Sequence, residues 1–202
     1  MSEIAVYRDD GPLAVLLGRR VGTGLPASGL ALTVAGIVPL AAVATSAASS
    51  RIATGAAVGW LVLAAGAAAG RPAGRLGWLQ PPLLRAVEYA LLLWLAVHTA
   101  GAPAAAAFAL LGVLAFHHYE TVYRLRHQRL APPRWLRASG GGWELRLLAA
   151  YALLLAGVLG RGLVVAAVVL AVLYAGESIA SWLRFNAAAR PALYEDREDE
   201  EQ

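Results

Sequence analysis

The chain has 202 residues, of which 59% are hydrophobic and only 15% charged, and its formal net charge is +4. A soluble domain carries about a quarter of its residues as charges, so this composition excludes an ordinary water-soluble globular enzyme. The chain has no cysteine, which excludes a disulfide framework, a thiolate nucleophile and a cysteine-based metal site.

The first residues, MSEIAVYRDDGPL, contain acids and no apolar stretch of their own, so the sequence reads as lacking a cleavable signal peptide. The next stretch, GPLAVLLGRRVG, mixes Leu13, Leu16 and Leu17 with Arg19 and Arg20. Two readings stay open for it: a short interfacial helix on anionic head groups, or a linker with basic anchors. Residues 1–24 form this cytoplasmic N-terminal segment.

Long uncharged blocks follow. Apolar runs of this kind cross a bilayer as helices, because about 20 helical residues span the hydrocarbon core. The predicted fold is therefore all-α and polytopic, with a six-helix transmembrane domain over residues 25–183. Its spans are Leu25–Ala48, Ile52–Gly70, Leu83–Thr99, Ala104–Tyr119, Trp143–Gly160 and Gly162–Leu183. The stretches SSR, AGAP and GRG read as the three turns at one end. Gly55 and Gly59 form a GxxxG step in the second span, suited to helix packing. After residue 184 the acidic tail YEDREDEEQ reads as a solvated, disordered end.

Arginine supplies every one of the 17 basic residues. Under the six-span reading, 15 of them fall on one side, and only Arg51 and Arg161 on the other. By the positive-inside rule the rich side is cytoplasmic. An even number of spans then places both termini there, in a multi-pass plasma-membrane protein.

Four carboxylates lie in or beside the spans, and all four fall toward the cytoplasmic end: Glu88, Glu120, Glu144 and Glu177. His117, His118, Arg124, Arg146 and Arg184 share that level, whereas the opposite half carries little beyond His98. Ionisable groups in a membrane pair or face an aqueous cavity, because leaving them alone costs at least about 2.5 kcal/mol at mid-depth. Two readings remain for Glu88 and Glu177: a cavity for an anionic head group, or interfacial ion pairs. Glu120 and Arg124, four apart on a helix, suit a simple pair. His117 and His118 point about 100° apart on a helix, which disfavours a shared metal, and neither a metal site nor a cofactor is expected. The basic loop from Tyr123 to Arg146 suits phosphate-bearing head groups or an acidic partner. Its Gly140–Gly142 run would let backbone N–H groups approach a phosphate at a helix N-terminus.

Six spans, a short N-terminal helix and an arginine-bearing connection after the second span together resemble the CDP-alcohol phosphatidyltransferase superfamily. That family carries the pattern D-x-x-D-G-x-x-A-R-x8-G-x3-D-x3-D at this place. With Arg71 on the motif arginine, Pro72 to Leu79 fill the spacer, Gln80 falls on the glycine, and Leu84 and Glu88 on the last two acids. The first two acids fall on Leu63 and Gly66. The resemblance implies metal-binding aspartates at four of these positions and a base at the last. Only Arg71 and the conservatively changed Glu88 match, and leucine or glycine gives a hard cation no side-chain oxygen. The stretches YRDDGPLA, PPLLRAVEY and YETVYRLRHQ…APPRWLRASGGGWE resemble, over nearly the whole length, an actinobacterial membrane domain of unknown function. The resemblance implies an association with nucleotidyltransferase and CDP-alcohol phosphatidyltransferase modules.

The expectation is therefore a diverged, non-catalytic module with a phosphatidyltransferase-like bundle. It would bind a lipid head group or a transferase partner, in a setting of phospholipid or phosphopolyol metabolism. Arg71, Arg85, Arg124 and Arg146 are the candidate phosphate-binding residues. The alternative is an enzyme acting on a lipid-linked phosphate or CDP-alcohol, with Glu88 or Glu177 as base. A small transporter fits less well, since no pair of broken helices and no midplane charge is evident. Membrane lipids, a transferase or nucleotidyltransferase, and a second copy of the chain are the expected partners; nothing points to nucleic acid.

Overall fold

The computed structural model describes residues 6–46, 50–72, 74–99 and 103–200, without the side chains of residue 134 and of residues 188–200. Among the described residues, all regular structure is helical. Eight helices follow in chain order: α1 (Pro12–Arg20), α2 (Gly29–Thr45), α3 (Arg51–Ala67), α4 (Gln80–Val97), α5 (Ala104–Tyr123), α6 (Arg134–Ser139), α7 (Gly142–Leu155) and α8 (Leu159–Glu200).

The starts of these helices follow from local chemistry. Pro12 opens α1, where its missing N–H costs nothing. Ser28 caps α2 by accepting from the Ala31 N–H at 3.2 Å, and Ser50 caps α3 through Ala53 at 3.1 Å. Between α1 and α2 the chain bends by 114°. Pro26 and the Ser28 cap account for the break, since the residue before a proline avoids helical geometry. The α7–α8 turn lies earlier than the GRG stretch suggested. The Gly157 N–H bonds the Leu154 carbonyl and the Val158 N–H that of Leu153, a Schellman closure with Gly157 at φ +72°. Gly160–Gly162 are already inside α8.

Each of the six sequence-predicted spans contains a helix, with shifted limits: the first starts at Gly29, and the last runs on past Leu183 to Glu200 through the segment read as a tail. Residues 47–49 and 100–102, where parts of the SSR and AGAP turns fall, lie outside the described residues. Three helices are long and apolar enough to cross a membrane: Arg51–Gly70, Ala104–Gln128 and Leu159–Ala187. The bent pair Pro12–Gly24 and Gly29–Thr45 is a fourth if taken as one span. Two helices that lie in predicted spans fall outside this set for physical reasons. Arg85 and Glu88 interrupt α4, and α7 has only 14 residues, about 21 Å of helix.

The core is aliphatic. Val58, Leu61, Leu92, Leu95, Leu114, Leu147 and Leu163 are all buried, from α3, α4, α5, α7 and α8. The outer face of α8 is the reverse, with Val165, Val168, Val169 and Val172 between 58% and 70% exposed. In water such a strip would be an aggregation surface; against lipid it is ordinary. Helix α1 tucks beneath α3 because small residues let backbones meet. A Cβ on Gly18 would stand 2.6 Å from the Gly70 nitrogen, and one on Gly66 2.7 Å from the Leu17 side chain. Gly55 likewise makes room for Tyr151 of α7, while Gly59 faces open space.

Candidate functional site

The site is built around four consecutive residues, Arg8-Asp9-Asp10-Gly11, which enter the arginine-rich end of the bundle. Asp9 takes a left-handed backbone, φ +54°, a conformation aspartate tolerates better than most residues. Its N–H bonds the Val6 carbonyl and its carbonyl accepts from the Trp143 N–H at 3.4 Å. Arg8, Asp9 and Asp10 are each no more than 4% exposed. Burial that deep demands partners, and the helices supply them.

Arg146 of α7 reaches two carboxylates at once. Its Nε donates to Glu88 Oε1 at 2.6 Å, and its terminal nitrogen Nη2 to Asp9 Oδ2 at 2.8 Å and Glu88 Oε2 at 3.2 Å. The planar guanidinium fits this forked geometry, which an ammonium cannot reproduce. The two adjacent histidines of α5 approach Asp9 from opposite oxygens: His117 Nε2 lies 3.4 Å from Oδ1, and His118 Nε2 3.5 Å from Oδ2. Tyr89 bonds His118 Nδ1 at 2.8 Å; a phenol O–H donating there leaves the ring's proton on Nε2, facing Asp9. Burial alone would push the Asp9 carboxyl up. Arg146, with His117 and His118 close beside it, outweighs it and holds Asp9 well below the usual carboxylate range.

Asp10 turns the other way. Oδ1 accepts from Arg8 Nε at 3.1 Å and from the Trp143 indole at 3.0 Å. Arg8 continues to the Gln80 side chain and, at 2.6 Å, to the Ala65 carbonyl. For Asp10 burial prevails, and its carboxyl titrates above its ordinary value despite Arg8 and Trp143. Its second oxygen, Oδ2, is buried with no hydrogen-bond partner.

Glu144 sets the position of α1. Its two oxygens accept from the Gly11 N–H at 3.2 Å and the Ala14 N–H at 3.0 Å. A carboxylate borrowed from α7 thus occupies the positive end of α1, which has no side-chain cap of its own. The glycines before α7 serve this contact. A Cβ on Gly142 would stand 2.3 Å from the Gly11 nitrogen, so the run expected to admit a phosphate admits the backbone of the N-terminal segment.

A second ion-pair group lies nearby. Arg124, in the π-helical turn Arg124–Gln128 that ends α5, donates from Nε to Glu120 at 2.9 Å and from Nη1 to Glu177 at 3.1 Å. Ser178 donates to Glu120 at 2.9 Å. Tyr174, one turn before Glu177 on α8, stacks on His117 with centroids 3.9 Å apart. The two groups therefore touch through an aromatic pair, and the void between them is only about 10 Å³.

Each sequence-predicted residue can now be placed. Glu88 and Arg146 pair with each other, as do Glu177 and Arg124, and Glu120 joins the latter as its spacing suggests. Glu177 borders the small void of about 10 Å³, and Glu88 is not among that void's lining residues. Arg85 donates to the Tyr7 carbonyl at 2.8 Å, fastening the N-terminal segment. Arg71 donates to the Ala27 carbonyl at 3.0 Å and to the carbonyls of Gly22 and Thr23, closing the α1–α2 connection. The sequence reading leaves out Arg8, Asp9, Asp10, Tyr89 and Trp143. The signal available was local: two adjacent acids after an arginine, ahead of a Gly-Pro helix start.

An open pocket of about 200 Å³ adjoins the cluster, lined by Asp10, Gly18, Arg19, Thr23, Gly70 and Arg137. The divalent metals implied by the phosphatidyltransferase resemblance do not fit this chain. Leu63 is 53% exposed, Leu84 is buried among apolar neighbours and Gly66 packs on Leu17, while Asp9 and Asp10 face arginines. Among the described residues, no three histidine or acidic side chains are placed to hold a metal ion.

No curated protein and no solved structure matches the chain. One family does, over residues 1–197. That match takes in the RDDG segment, the paired arginines of α5 and α7 and almost all of α8: the chain belongs to DUF5941, a family of unknown function.

Proposed function

We propose that the chain is a non-catalytic, six-span plasma-membrane module that binds a phosphate-bearing lipid head group at its arginine-rich, cytoplasmic face. One observation carries the reading. The carboxylates suited to acid–base work are held by arginines in buried ion pairs, whereas the pocket beside them is open, with Arg19, Arg137 and Asp10 on its wall. Guanidinium groups match phosphate, and a carboxyl among them accepts from, or donates to, a hydroxyl next to that phosphate. This suits a phosphopolyol head group better than a bare phosphate. The topology and arginine distribution support a diverged phosphatidyltransferase-like bundle, acting beside a transferase in phospholipid metabolism.

The test is the thermal stability of the purified full chain against phosphatidylinositol, phosphatidylglycerol and phosphatidylcholine in mixed micelles, and against CDP-alcohols with and without Mg²⁺. A ligand that binds only the folded state adds about 2.7 kcal/mol at 100 times its Kd. The expected result is a rise with the anionic polyol lipids that an Arg19→Gln/Arg137→Gln variant loses. A Mg²⁺-dependent rise with a CDP-alcohol, accompanied by transfer activity, would overturn the non-catalytic reading. No rise with any lipid would leave a protein partner as the occupant of this face.

A further inference from the structure

At the end of the bundle opposite the ion-pair cluster, two cavities of contrasting chemistry meet at one tryptophan. The first is polar and about 260 Å³, lined by Arg51, Thr54, His98 and Thr99 together with Trp94 and Gly157. The second is apolar and about 210 Å³, a groove between α2 and α4 with Ile37, Leu40 and Ala44 on one wall and Val87, Leu91 and Trp94 on the other. On α4 the groove residues 87, 91 and 94 lead directly to 98. Spacings of three and four residues put them on one helical stripe, about 10 Å long from Val87 to Trp94 at 1.5 Å per residue. On α2, residues 37, 40 and 44 repeat the pattern. The groove thus climbs along two facing stripes into the polar cavity.

From this we infer a second lipid site: a single anionic phospholipid with a hydroxylated head group, its acyl chain in the α2–α4 groove and its head group in the Arg51–His98 cavity. The groove asks for a hydrocarbon chain, and nothing polar on its walls would satisfy a peptide or a sugar. The polar cavity asks for a negative charge, because Arg51 is the cation that lines it. His98 adds the hydroxyl preference. Its Nδ1 is 2.9 Å from the Trp94 carbonyl, which fixes the proton on that nitrogen and leaves Nε2 as an acceptor for a head-group O–H. The hydroxyls of Thr54 and Thr99 are already committed to the carbonyls of Ser50 and Leu95, so they shape the wall rather than compete for the ligand. This site is separate from the cytoplasmic pocket and needs none of its residues.

Trp94 reports on occupancy. Brominated phosphatidylglycerol quenches a tryptophan it touches, and the Trp94 share of the signal is the difference between the wild type and Trp94→Phe. The expected result, in nanodiscs of the full chain, is quenching of that share by brominated phosphatidylglycerol at a mole fraction at least threefold below that needed with brominated phosphatidylcholine. Arg51→Gln/His98→Gln should abolish the threefold preference, and Ala41→Phe, which fills the groove, should abolish quenching by both lipids. Arg19→Gln/Arg137→Gln should change nothing here. Soluble glycerol phosphate should fail to displace the lipid. Equal quenching by the two lipids, a preference that survives loss of Arg51 and His98, or displacement by glycerol phosphate alone would overturn the proposal. If Trp94→Phe does not fold, the mole-fraction dependence of binding in the Ala41→Phe and Arg51→Gln/His98→Gln variants, read by native mass spectrometry, decides the same question.

Discussion

Arg146 holds two carboxylates from different parts of the chain, so its removal takes from buried Glu88 its guanidinium partner and leaves Asp9 with only the neighbouring histidines. Losing one partner of a buried pair costs about 3–5 kcal/mol. Arg146→Ala should therefore lower the melting temperature more than any exposed arginine change, and Arg146→Lys should recover only part of the loss, since a point charge cannot serve both acids. Adjacent Asp9 and Asp10 have opposite pH signatures. Asp9 is depressed, so its contribution is complete above the unfolded value of about 3.9 and is lost as pH falls below it. Asp10 is raised, so it costs stability near neutrality, and that cost is relieved as pH falls through its elevated value. Melting curves between pH 3.5 and 7.5 should show Asp9→Asn destabilised at pH 7 and Asp10→Asn unchanged or more stable there. The reverse order would refute the assignment of charges within the RDDG segment.

At the scale of elements, α1 depends on two borrowed features: a carboxylate from α7 and a glycine seat on the end of α3. Glu144→Ala removes the acceptor for two buried N–H groups. Hydrogen bonds to charged groups contribute about 1.5–3 kcal/mol each, so a loss of that order is expected, with Glu144→Gln keeping part of it. Gly70→Ala would drive a Cβ to 2.0 Å from the Gly18 carbonyl oxygen and should unseat α1. Gly112→Ala, where nothing lies within 4 Å, should be silent. Limited proteolysis between residues 21 and 28 separates the two outcomes. These dependences mark the limit of what the sequence disclosed. The approximate helix positions were legible because apolar blocks and glycine-bearing turns are local signals, whereas the Ser28 and Ser50 caps that fix two of the starts went unread. That Glu88 would choose Arg146, or that Glu144 would cap a helix more than a hundred residues earlier, is decided by packing, which leaves no mark on spacing. The glycines at 140–142 were noticed for the right reason, close backbone approach, but the visitor is the chain itself.

For the whole molecule, the central expectation is the six-span topology. The chain has no cysteine, so single cysteines label without background. Ala138, in α6, and Ala156, just past the C-terminal end of α7, are exposed positions that flank α7, and each is a site for a single cysteine (Ala138→Cys, Ala156→Cys). A membrane-impermeant maleimide added to intact cells should label position 156 and spare 138. Labelling of both, or of 138 alone, would discard the topology and with it the cytoplasmic placement of the head-group pocket. The expected orientation rests on the arginine distribution, which is a sum over many loops rather than a feature of any one residue. The two candidate ligand pockets were not readable, since each gathers residues far apart in the chain.

The RDDG segment has a consequence for the order of assembly. Asp9 meets Arg146 across 137 positions of chain and Asp10 meets Trp143 across 133. During synthesis, residues 8–11 emerge long before α7 exists, and until it arrives Asp9 lacks Arg146 and Asp10 lacks the Trp143 indole. The segment is therefore made well before α7 but seated only after α4, α5 and α7 have come together. It works as a closing bolt rather than a foundation, and a bulky fusion placed just ahead of it should leave insertion intact while trapping the bundle unlatched.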